Sequence, residues 1–181
     1  MPTITLKQPH GFWRSVRLGL VHIAEQDGRW QLPHLLFVLD IGAEKQSHKP
    51  LWRLPGGKRR PDETTEAALK REFLEETGMS IRRGRHLLLG DDLPHAERTR
   101  SLMAVNILVG GVRPEPTPGF ATDEVAEVRW FAAGALPTGR EPASLGHPID
   151  HYNRQQVRDT LSYHWGELRG MPYAGVLRGL C

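Results

Sequence analysis

An α/β fold, with helices packed on a β-sheet, is the architecture this 181-residue chain predicts. Three observations carry that expectation. Short apolar runs of strand length alternate along the chain with two segments of helical pattern. Hydrophobic residues make up 39% and charged residues 25%, which is enough apolar material for one sizeable core. No internal repeat or low-complexity stretch divides the chain, so a single domain over residues 1–181 is expected.

The elements follow in order. Val16 to Ala24 alternates partly as a strand, and Leu35 to Leu39 is a short, wholly apolar one. The two can pair as a hairpin across a loop from Glu25 to Pro33. Polar residues from Gly42 to Lys49 lead into a strand around Trp52, which ends in the turn Leu54-Pro55-Gly56-Gly57. A helix follows, with Pro61 and Asp62 suited to its start and Gly78 to the position after its end. Further strands are expected at His86 to Leu89, Leu102 to Val109 and Val125 to Phe131. Gly110 to Gly119, rich in Pro and Gly, is too short for a domain linker and reads as a loop near the site. Thr160, Leu161 and Leu168 place a terminal helix between Asp150 and Arg169.

The helix between the two glycines carries the chemistry. At about 100° per residue, Glu72, Glu75 and Glu76 stand at i, i+3 and i+4 and share one face. Adjacent carboxylates repel, at a cost of a few tenths of a kcal/mol per pair, unless a cation sits between them. Oxygen donors of this kind select Mg²⁺ or Mn²⁺. Ala68 and Thr65, one and two turns earlier, are small and are expected to leave room for a phosphate chain. Leu69 and Phe73 on one flank, with Ala67 and Leu74 on the other, are expected to bury the helix on both sides of its acidic stripe. Arg71 is within reach of Glu75 and of Glu63, and both Arg71 and Glu63 are assigned to holding the acids in place.

Gly57, Glu63, Arg71, Glu72, Phe73, Glu75, Glu76, Gly78 and Met79 are spaced as G-x5-E-x7-R-E-U-x-E-E-x-G-U, where U is bulky and apolar. In this ungapped 23-residue window the chain resembles the Nudix box at every defined position. The resemblance sharpens the expected fold to an α/β/α sandwich with a mixed β-sheet. It implies a metal-dependent hydrolase cleaving the pyrophosphate linkage of a nucleoside diphosphate derivative, of the nucleoside triphosphate, ADP-ribose or nucleotide-sugar type. It further implies that Gly56, just before the box glycine, gives its carbonyl to a metal, that Glu72, Glu75 and Glu76 are ligands, and that Glu72 is a base. Arg53, in the strand leading to the turn, is the substrate-binding candidate. Asp123-Glu124-Val125 resembles the acidic loop that commonly follows the box, which makes Glu124 a second catalytic candidate, ahead of Glu127 and Asp123. Ile149-Asp150-His151-Tyr152 followed by Leu168-Arg169-Gly170-Met171-Pro172-Tyr173, and Pro94, fifteen residues after Met79, resemble features of ADP-ribose-type members.

Composition limits the alternatives. A net charge of +3, with basic runs at Lys58-Arg59-Arg60, Arg82-Arg83-Gly84-Arg85 and Arg98-Thr99-Arg100, favours an anionic partner such as a small nucleotide. The same balance is the sole support for an RNA 5′-end pyrophosphohydrolase, and no nucleic-acid module is recognisable. A nucleotide sensor without hydrolysis is the other alternative, and it would be marked by missing box acids, of which there are none. No apolar run approaches the ~20 residues of a membrane span. The sole cysteine, Cys181, rules out an intrachain disulfide, and with no leader-like start a cytoplasmic protein is expected. The nine histidines show no zinc spacing and are expected on surfaces and loops; Pro148 separates His147 from His151.

Overall fold

The computed structural model describes residues 15–42, 50–81, 86–89, 101–117, 123–135 and 147–180. Pro94, the arginines Arg82, Arg83, Arg85, Arg98 and Arg100, and Cys181 lie outside the described residues.

The sheet is built from β1 (Ser15–Ile23), β4 (His34–Asp40), β5 (Leu51–Arg53), β6 (His86–Leu89), β7 (Ser101–Val109) and β8 (Val125–Ala132). Its spatial order is β5-β4-β1-β7-β6, with β8 on the other edge of β4. β1 and β7 run parallel in register from Ser15↔Ser101 to Ile23↔Val109, and the remaining pairs are antiparallel, so the sheet is mixed. The expected hairpin of the first two long strands is present at Val21↔Leu35 and His22↔His34. Within its loop the chain adds a two-stranded ribbon, β2 (Glu25–Gln26) with β3 (Arg29–Trp30), turned by Asp27 and Gly28 at positive φ. Four residues of strand are too short for an alternation pattern to betray them.

Period-2 alternation sends side chains to two cores. Val16, Leu18, Leu20, Leu36, Leu102 and Ala104 meet Ala68, Leu69 and Phe73 of the box helix, α1 (Thr65–Thr77). Val21, Ile23, Phe37, Trp52, Val105 and Ile107 face Val157 and Leu161 of α2 (His151–Tyr163). Two short helices, α3 (Trp165–Leu168) and α4 (Ala174–Leu177), complete that layer. Each large apolar side chain buried in this way contributes about 1.5–3 kcal/mol. Helix layers on both faces make the α/β/α sandwich.

The ends of α1 are set by local chemistry. Thr64, and not Pro61 or Asp62, is the N-cap: its hydroxyl accepts from the Ala67 N–H at 3.1 Å. Gly78 ends the helix at φ 67°, a left-handed conformation that glycine adopts without strain. Two expectations about the helix faces need correction. Ala67 and Leu74 are exposed, so α1 is buried along one flank and not two. Ala68 is fully buried in the sheet-side core, so it does not floor a phosphate site. The helix is rolled towards the sheet, and this same roll buries Glu76.

His22 also departs from expectation. It alternates with Leu20 onto the α1 side of the sheet, where it is 2% exposed and in edge contact with Trp130. Burial lowers its pKa, and its Nε2 lies 3.3 Å from the Gly110 carbonyl oxygen.

Candidate active site

The site forms where the Leu54–Lys58 turn crosses between the start of β1 and the acidic face of α1. Val16 N–H donates to the Gly57 carbonyl and Leu18 N–H to the Pro55 carbonyl, each at 2.9 Å, so the turn runs along β1 as an extra edge. Gly56 has φ 143°, and a Cβ there would lie 2.7 Å from Arg17 Cα. Only glycine fits. Its N–H donates to Glu76 Oε2 at 2.7 Å. Leu54, Pro55 and Gly57 each have their carbonyl engaged, whereas among the described residues the Gly56 carbonyl accepts no hydrogen bond.

The acids are held differently from one another. Glu72 rests against Gly57, where a Cβ would come within 2.6 Å of its carboxyl carbon, so the box glycine supplies the space that Ala68 does not. Burial raises the Glu72 pKa against the pull of Arg71, with Glu75 and Glu124 adding repulsion. Glu76 is 2% exposed, and burial outweighs Gly56, Arg53 and Arg17 to push it up to about 7. Glu75 stands more open, 3.8 Å from Arg60 Nη2. Arg71 ties the group together. Its Nε and Nη2 donate to the two oxygens of Glu63 at 2.8 and 2.9 Å, and its Nη1 donates to Glu72 at 2.8 Å and Glu75 at 2.9 Å. Nη2 also reaches the Lys58 carbonyl at 3.1 Å. Glu63 is held down at about 2 by this guanidinium.

Arg53 makes an ion pair with buried Asp40 and stands 4.0 Å from Glu76 Oε1. Asp40 sits at a register irregularity of β4, the kind of bulge that re-aims a side chain. Neither Asp40 nor Arg17 was legible as a site residue, because each reads as a polar position in an otherwise apolar strand. Arg17 lies close enough to Glu76, Asp40 and Asp150 to feel their charges, and its Nη1 donates to the Leu54 carbonyl at 3.1 Å.

Glu124 is exposed in the turn before β8, and its charge reaches Glu72. Its own carbonyl accepts from Ile41 N–H at 2.8 Å and Gly42 N–H at 3.2 Å, which fixes the turn against the end of β4. Asp123 is exposed beside it. Val128 and Trp130 pack towards α1, so Glu127 alternates to the opposite face, where it bonds Arg129. The Gly110 loop passes the far end of α1, with the Thr117 hydroxyl 3.4 Å from the Gly78 carbonyl.

Among the described residues, no three His, Cys, Asp or Glu side chains converge into a ready metal cage. Arg71 holds Glu72 and Glu75, and the Gly56 amide holds Glu76. The donor set nonetheless fits a hard divalent cation: three carboxylates, two of them with raised pKa, beside a carbonyl that accepts no hydrogen bond among the described residues.

A family model described as the NUDIX domain matches residues 14–152. A Bacillus subtilis protein provisionally named an 8-oxo-dGTP diphosphatase is 32% identical over 93 residues, which span 51% of this chain and 58% of that protein. An Ap4A hydrolase binary complex from C. elegans superposes with a TM-score of 0.51 at 15% identity, covering 84% of this chain and 99% of that one. A bifunctional NMN adenylyltransferase/ADP ribose pyrophosphatase from Francisella tularensis, complexed with AMP and Mn ion, gives a TM-score of 0.47 at 22% identity over 83% of this chain and 42% of that one.

Proposed function

Because the chain belongs to the NUDIX domain family, whose model spans residues 14–152, we propose that it is a metal-dependent pyrophosphohydrolase of nucleoside diphosphate derivatives. The observation that carries this reading is the placement of Glu72, Glu75 and Glu76 on the α1 face that meets Gly56 and Gly57. Glu72, Glu75, Glu76 and the Gly56 carbonyl would hold Mg²⁺ or Mn²⁺, drawing the first two acids from Arg71. When bound, the ion neutralises charge that develops on the diphosphate oxygens.

The chain's own groups do the rest. Glu72, with a raised pKa, is placed to take a proton from the attacking water, and Glu124 is the second candidate for that role. Arg71 and Glu63 fix the direction of Glu72 and Glu75. Arg53 orients the buried Glu76 and faces the site from β5, so its part in substrate binding is as a partner of Asp40 and Glu76 together. Lys58-Arg59-Arg60, at the rim beside Glu75, favours approach of a polyphosphate. The names of the relatives point to nucleotides as substrates, and 8-oxo-dGTP and ADP-ribose head the set to be tried. No helix among the described residues is long and apolar enough to cross a membrane; a chain with one cysteine suits the reducing cytoplasm.

The test is a screen for phosphate or pyrophosphate release. Nucleoside triphosphates, 8-oxo-dGTP, ADP-ribose, dinucleoside polyphosphates and 5′-triphosphorylated RNA are incubated with Mg²⁺ and with Mn²⁺. Turnover of at least one small nucleotide, lost in Glu76→Gln, is expected. Binding of nucleotides with no cleavage of any of them would replace the hydrolase by a sensor.

A further inference from the structure

The turn at the site is gripped from α2, of which the family match reaches only the first two residues. That match ends at residue 152, and Asn153 follows it. Asn153 is 2% exposed, and its Oδ1 accepts from the Leu54 N–H at 3.0 Å. On the other side of the same residue, Arg17 Nη1 donates to the Leu54 carbonyl. Leu54 is therefore clamped at both polar groups, two residues before Gly56.

The grip is itself fixed. Asn153 Nδ2 donates to Asp150 Oδ2 at 2.9 Å, while Asp150 Oδ1 caps the first turn of α2 through Tyr152 N–H at 2.9 Å. Asp150 N–H donates to the Trp52 carbonyl at 2.7 Å, and Trp52 N–H to the Pro148 carbonyl at 2.8 Å. The chain at Ile149 thus runs beside β5 as a parallel bridge. β5 has only three residues, so the route from Arg53 into Gly56 is set by these contacts together with those of the turn to β1.

We propose that Asn153 is a positioning residue of the catalytic turn, aiming the Gly56 carbonyl and amide at the acidic face of α1 through the Leu54 peptide. The inference deepens the hydrolase reading and rests on it for the word catalytic, not for the clamp itself. Removing the side chain leaves the buried Leu54 N–H without an acceptor and loosens the entry to a turn that is then held by Arg17 at Leu54 and by β1 at Pro55 and Gly57.

Asn153→Ala tests it, with the exchanged pair Asp150→Asn/Asn153→Asp as rescue. In the exchanged pair residue 153 still accepts from Leu54, residue 150 donates to it, and asparagine remains a good cap. Three quantities are read: Mn²⁺ affinity of the metal-stripped protein, kcat against KM, and hydrogen exchange at the Gly56 amide beside that at Val105 in β7. Asn153→Ala should weaken Mn²⁺ binding about tenfold and lower kcat at least tenfold, with KM within about twofold. Gly56 exchange should quicken about tenfold while Val105 exchange does not, and the exchanged pair should recover most of each loss. If Asn153→Ala does not fold, Asn153→Ser, with a shorter acceptor, takes its place. Unchanged Gly56 exchange and Mn²⁺ affinity would overturn the proposal, as would equal quickening at Gly56 and Val105, the mark of a plain stability role. Should the parent neither bind Mn²⁺ nor cleave any pyrophosphate, the hydrolase reading falls, and exchange at Gly56 still decides the clamp.

Discussion

Glu76→Gln should make the metal-free protein more stable while destroying its function. Glu76 is 2% exposed and titrates at about 7, against 4.5 for a glutamate in the unfolded chain. A folded-state pKa above the unfolded one means that the native protein is penalised for ionising this group. The penalty is absent below pH 4.5, grows as pH rises, and is complete above about 7. Its size is the difference, 7 minus 4.5, at about 1.4 kcal/mol per pH unit, on the order of 3 kcal/mol. Glutamine is neutral at every pH, and its carbonyl can still accept the Gly56 N–H. At pH 8 the variant should therefore melt roughly 6–12 °C higher than the parent, since 1 kcal/mol moves Tm by about 2–4 °C in a chain of this size. At pH 5 the two should differ by little. Scanning calorimetry of metal-stripped samples at both pH values, followed by the same scans with Mn²⁺, reads the effect. Mn²⁺ should raise the Tm of the parent and leave the variant nearly unmoved. A variant less stable than the parent at pH 8, or equally shifted at pH 5 and pH 8, would refute the reasoning.

Three further outcomes are expected. Gly57→Ala should lower the maximal rate by about 10²-fold with little change in KM, because its Cβ would come within 2.6 Å of the Glu72 carboxyl carbon and turn the carboxylate away; a rate near the parent's contradicts this. Glu63→Gln should lower activity and remove a pH-dependent contribution to stability. Glu63 titrates at about 2 when folded, below its unfolded value, so its contribution is full above pH 4.5 and is lost as pH falls towards 2. Denaturant midpoints of parent and variant should therefore converge near pH 2 and separate at pH 7. Glu124→Gln should cost roughly 10²-fold in maximal rate with Tm unchanged, and a rate within about twofold would return Glu124 to the solvated surface.

Much of this fold is legible because its signals are local. The apolar runs at Val16, Leu35, Leu102 and Val125 each become a strand within a residue or two of the expected bounds. The spacing of Glu72, Glu75 and Glu76 places them on one helix face whatever the helix packs against. What the helix packs against is not local, and there the reading fails. Leu74 and Ala67 look like a buried flank until the sheet lies on the Leu69 and Phe73 side. Thr64 prevails over Asp62 as N-cap because its hydroxyl meets the Ala67 amide, a choice of two residues that sequence spacing does not make. Asp40, Arg17 and Asn153 come to the site from β4, β1 and α2 respectively. No pattern within any of those segments announces a role at a turn up to about a hundred residues away, such as the contact from Asn153 to Leu54 across 99 positions.

Dependence of turnover on a divalent cation tests the central claim most directly. Protein stripped exhaustively with EDTA should cleave none of the nucleotides that the untreated protein cleaves, and excess Mg²⁺ or Mn²⁺ should restore the rate. Stripped Glu72→Gln and Glu76→Gln should bind Mn²⁺ at least tenfold more weakly than the stripped parent. Full activity in the continued presence of EDTA would contradict the reading of Glu72, Glu75, Glu76 and Gly56 as a metal site.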